Sequence, residues 1–156
     1  MKFAEFSEKI KAEYAKRFPG SMCIVNLYKG FGKSIDIAFY LAGSTEEVSN
    51  GYLANDMFRC SLTIHLPGKF NADTNELPDV MTMEKSGNHF NIKPENEYMY
   101  YGVHTVNFRK TNGNSEKLIV AAGKFMDKIL DAVLEDYKNG KIHSNYVSLV
   151  ERRIKT

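Results

Sequence analysis

Within residues 57–66, MFRCSLTIHL, apolar and polar side chains alternate without a break from Phe58 to Leu66. Phe58, Cys60, Leu62, Ile64 and Leu66 fall on one side, and Arg59, Ser61, Thr63 and His65 on the other. A period of two belongs to a strand with one buried face. Residues 34–41, SIDIAFYL, set Ile35, Ile37, Phe39 and Leu41 against Ser34, Asp36 and Tyr40 in the same way. One-sided strands of this kind build an antiparallel sheet whose second face meets solvent. Another part of the chain must cover the apolar face.

Two segments with a helical period supply that cover. Over residues 3–17, Phe3, Phe6, Ile10 and Tyr14 recur at three- and four-residue spacing, and Phe18-Pro19-Gly20 ends the run. Over residues 115–138, the stripe is Leu118, Ile119, Ala122, Phe125, Met126, Ile129, Val133, Leu134 and Tyr137. Ser115 is its expected N-cap, and Asn139-Gly140 its stop.

Further strands are expected at SMCIVNLY (21–28), joined to SIDIAFYL by the KGFGK hairpin, and at VMTME (80–84) and HFNI (89–92). EYMYYGVHTVNFRK (97–110) reads as one long strand, followed by a turn at Asn112, Gly113 and Asn114. Residues 43–56 are acidic and turn-rich, with a short helix capped by Ser44 or Thr45. Residues 67–79 read as a loop. Tyr146, Val150 and Ile154 give residues 142–156 the pattern of a short terminal helix or tail. The expected fold is α+β. It is a single domain over 1–156, with an antiparallel sheet of about five strands and both main helices on one face.

The 156 residues suffice for a core without staples. Cys23 and Cys60 each sit in an apolar run, so they read as buried thiols rather than a disulfide framework. No apolar run approaches the roughly 20 residues of a membrane helix. The mixed charges of the first 18 residues do not make a signal peptide. A cytosolic protein is expected. Charge is unevenly spread: residues 1–33 hold seven Lys/Arg against three acids, residues 34–100 four against ten, and residues 101–156 ten against six. If the two ends meet in the fold, a basic face would stand opposite an acidic middle.

Common chemistries find little footing. GFGKS leads into a strand, and its spacing is too short for a phosphate loop. His65, His89, His104 and His143 include no pair at i, i+3 or i, i+4, so no metal or other cofactor is implied. Glu46-Glu47 and Glu135-Asp136 are sequence neighbours and read as solvent-facing charge. A small hydrolase would have to bring the strand residues His65 and His104 into one pocket.

Binding has more support. Arg109 and Lys110 precede the long helix, which carries Lys117, Lys124 and Lys128; Lys2, Lys9, Lys11, Lys16 and Arg17 occupy the first. Tyr98, Tyr100 and Tyr101 would stack on bases or on a protein partner if exposed. The pI of about 8.4 falls short of a strongly basic nucleic-acid binder. At a sheet edge, the tyrosine-rich strand would be a template for homodimerisation or partner addition.

Residues 10–48 resemble a small domain of large polyvalent proteins from phages and conjugative plasmids. The resemblance rests on Phe18-Pro19-Gly20, on Ser34, Ile35, Asp36 and Ile37, and on Thr45 and Val48. It departs after the first strand, where Leu27-Tyr28 stand in place of a basic residue. It implies a mobile-element setting and no catalytic residues. The expectation is a non-enzymatic binding protein, such as an inhibitor that contacts a host defence protein. The alternatives are a nucleic-acid-binding domain and a small hydrolase.

Overall fold

The computed structural model describes residues 1–30, 32–44, 59–68, 70, 75–89, 93–96, 99–101, 106–142 and 144–154. In chain order these form α1 (Phe3–Arg17), β1 (Cys23–Tyr28), β2 (Ser34–Tyr40), β3 (Arg59–His65) and β4 (Met81–His89). Then come β5 (Lys93–Asn96), β6 (Met99–Tyr101), β7 (Thr111–Gly113), α2 (Ser115–Lys138) and α3 (Ser144–Arg153). The fold is α+β. One antiparallel sheet has the order β1-β2-β3-β4-β7, and β5 and β6 make a separate two-stranded ribbon.

The alternation read from sequence becomes the inner face of the sheet. Ile35, Ile37 and Phe39 of β2 and Cys60, Leu62 and Ile64 of β3 are buried, with Met81 and Met83 of β4 beside them. The register sets Phe39 opposite Cys60 and Ile37 opposite Leu62, so apolar rows run across the strands. Phe6, Ile10 and Tyr14 of α1 cover this face together with Leu118, Ala122, Phe125, Met126, Ile129 and Val133 of α2. Tyr14 links the layers: its ring lies 4.9 Å from Phe39, and its hydroxyl donates to the Tyr40 carbonyl at 2.7 Å. Phe39 in turn meets Phe125 at 6.1 Å. Where α1 crosses α2, Gly123 leaves room for Arg17, which ion-pairs with Asp127.

Both main helices have the expected bounds, and Gly140 (φ 66°) follows the cap residue Asn139 of α2. Several local expectations are corrected. The strand expected at 80–84 runs on as one element to His89, with a register shift opposite Ser61 and Leu62 that accommodates Ser86. The long strand expected over 97–110 is not one element: Met99–Tyr101 pair with β5, and residues 106–110 carry no strand. The expected turn at Asn112-Gly113 is itself β7, paired with Met81–Met83. Asn114, not Ser115, caps α2, because its side chain accepts from the Lys117 amide at 2.9 Å. Asp136 is buried rather than solvent-facing. The helix expected after Ser44 lies outside the described residues. Among the described residues, no helix is long and apolar enough to cross a membrane.

Candidate functional site

The path from residue 106 into α2 builds the candidate site. Lys85 Nζ donates to the Val106 carbonyl at 2.8 Å, and Lys128 Nζ to the Asn107 carbonyl at 2.7 Å. These bonds hold an irregular segment between β4 and α2. The Phe108 ring then meets Phe125 edge-on at 5.2 Å. At the other end, β7 and the Asn114 cap fix where α2 starts.

Between this segment and α2 lies a groove of about 270 Å³. Phe108, Val120, Ala121 and Phe125 make its apolar lining, with Thr111 at the strand. Arg109, Lys117, Lys124 and Lys128 surround it. The helical residues fall at 117, 120, 121, 124 and 128, a three- and four-residue spacing that puts them on one stripe. So α2 carries two stripes, one turned to the core and one to the groove. Val120 is 60% exposed and extends the apolar lining to the surface among the lysines.

The charges here are uncompensated. Arg109, Lys117 and Lys124 are exposed and make no ion pair with any described residue. On α1 the situation differs: Lys9 pairs with Glu5, Lys11 with Glu8, and Lys16 and Arg17 with Glu13. Such surface pairs contribute little stability. They do cancel charge locally, so the expected basic face does not extend over α1.

The structure thus brings Arg109, Lys117 and Lys124 together and adds Lys128. It separates Lys110, which does not line the groove, from them. Lys110 Nζ reaches Glu84 Oε2 at 3.1 Å on the open face of the sheet. Glu84 Oε1 lies 2.6 Å from His65 Nε2. The His65 hydrogen bond, then Lys110, holds the Glu84 carboxyl below its ordinary range. Tyr100 and Tyr101 belong to β6, which pairs with β5 and not with the main sheet, and their side chains are outside the described set. Tyr98 and His104 also lie outside the described residues.

Sequence reasoning missed Phe108 and Val120 as groove residues. The spacing of Val120 from Lys117 and Lys124 was the available signal. Glu84 gave none, since its partners come from β3 and from the segment before β7. Burial pushes the Cys60 thiol well up and the Cys23 thiol up to about 12. Among the described residues, no cluster of three or more His, Cys, Asp or Glu side chains is arranged to hold a metal ion. Comparison with protein-family models, curated proteins and solved structures returned no match.

Proposed function

We propose that this chain is a non-enzymatic binding protein whose groove between β7 and α2 takes an acidic segment of a partner protein. The observation that carries this reading is an apolar groove ringed by uncompensated cations. An apolar side chain flanked by carboxylates is the complement of that arrangement. The apolar part gains by leaving water, and the acids meet Arg109, Lys117 and Lys124. A setting in a phage or plasmid, with a host defence protein as the partner, is part of the proposal. It rests on the residues shared by positions 10–48 with the polyvalent-protein domain.

A nucleic-acid backbone is the second reading, favoured by the same four cations. It is weaker because the cations of α1 are paired with their own acids. It also leaves Val120 and the apolar lining without a role.

The test is affinity capture from host lysate with the natural chain and with a Lys117→Glu/Lys124→Glu variant. Reversal of two exposed charges leaves the fold intact and weakens partner binding at least about tenfold. A partner held by the natural chain and lost by the variant, at equal melting temperature, supports the reading. No partner, or equal recovery by both, removes it. Anisotropy with labelled DNA and RNA runs alongside. Salt-sensitive binding lost in the variant would hand the groove to the second reading.

A further inference from the structure

We infer that β1 is the seam of a symmetric dimer, paired antiparallel with β1 of a second copy of this chain. The inference is independent of the groove, which lies at the opposite end of the sheet.

β1 is a terminal strand and pairs only with β2 among the described residues. Its six residues, CIVNLY, include no charge, proline or glycine. Exposed edges are ordinarily blunted by lysines, proline, bulges or shortness, because an open ladder invites another strand. The other terminal strand follows that rule: β7 has three residues and comes directly after Arg109 and Lys110. β1 has none of these within its six residues, and its one flanking charge is Lys29, directly after Tyr28.

Its surroundings fit a second copy. A two-fold axis perpendicular to the sheet sets β1 antiparallel to itself and keeps the helix-covered faces on one side. The core then continues across the seam, where Cys23 and Leu27 are only half-buried and would gain cover. On the open face, Asn26 and Tyr28 are exposed, Tyr28 by 53%. An asparagine amide both donates and accepts, so it complements its own copy. α1 packs on β1, so two α1 helices approach one another in opposite directions.

Sedimentation equilibrium over a wide range of concentration tests this, with hydrogen exchange at both extremes. The expected result is a dimer in which the Cys23–Tyr28 amides gain protection with concentration while those of Thr111–Gly113 do not. Asn26→Lys puts like charges across the axis at an exposed position. It should raise the dimer dissociation constant at least about tenfold with the far-ultraviolet spectrum unchanged. A monomer at every concentration overturns the inference. So does a dimer whose new protection lies elsewhere, or a folded Asn26→Lys chain that dimerises as before. If that variant does not fold, exchange in the natural chain decides alone.

Discussion

Cys23 and Cys60 stand on either side of Phe39 in the register of three adjacent strands. Burial raises both thiols, Cys23 to about 12, and raises Tyr14 well above its ordinary value of 10.0. A group whose folded value is raised supports the fold below its unfolded value. That support is lost as pH climbs toward the folded value. The melting temperature should therefore hold from neutrality to about pH 9 and fall beyond it, as a thermal scan across alkaline buffers would show. Ellman's reagent at pH 8 should react at least about a hundredfold more slowly with the folded chain than with the chain in guanidinium, since the thiolate is the reactive form. At Gly43 glycine matters for a steric reason that involves backbone. A methyl group on Gly43 would stand 2.7 Å from the Gly20 carbonyl oxygen and collide with the Arg153 guanidinium. Gly43→Ala should cost about 1–3 kcal/mol by denaturant unfolding and expose α3 to protease. Gly30→Ala, with nothing within 4 Å, is the neutral control.

At the scale of elements, what was legible in the sequence was whatever one period could decide. The stripe from Leu118 to Val133 and the alternation from Cys60 to Leu66 each point at one buried face, and both faces are buried. The stretch before α2 was misread because its structure is decided by partners distant in sequence. Asn112-Gly113 has turn composition, but the Thr82 hydroxyl donates to the Asn112 side chain at 2.6 Å within the pairing to β4. Tyr100 and Tyr101 do enter a strand, whereas at Val106 context overrides the propensity for one. The lysines of the groove were legible as helical neighbours. The split between Arg109 and Lys110 was not, since it depends on Glu84 arriving from β4. The cap offers a direct check on this local reading. Asn114→Ala should cost about 1 kcal/mol in chemical denaturation, and Ser115→Ala, which leaves the cap bond in place, should cost less.

At the scale of the whole molecule, the uneven charge of the sequence resolves into a local feature. The basic ends do meet, since α1 packs on α2 and Arg17 pairs with Asp127. Yet they do not add, because α1 answers Lys9, Lys11 and Lys16 with acids one turn away. The groove keeps Arg109, Lys117, Lys124 and Lys128 as a compact cationic ring. These two arrangements predict different responses to salt. A duplex held by the ring alone releases counterions from about four contacts, so the logarithm of affinity should fall against log salt no more steeply than about −4. A face that also engaged Lys2, Lys9, Lys11, Lys16 and Arg17 would approach about −8. Anisotropy of labelled duplex DNA across a salt series measures the slope. A shallow slope that flattens further in Lys117→Glu/Lys124→Glu confines the positive field to the groove. A steep slope unmoved by those substitutions would mean that α1 releases its own carboxylates to bind phosphate, and that its ion pairs do not set the electrostatics of this surface.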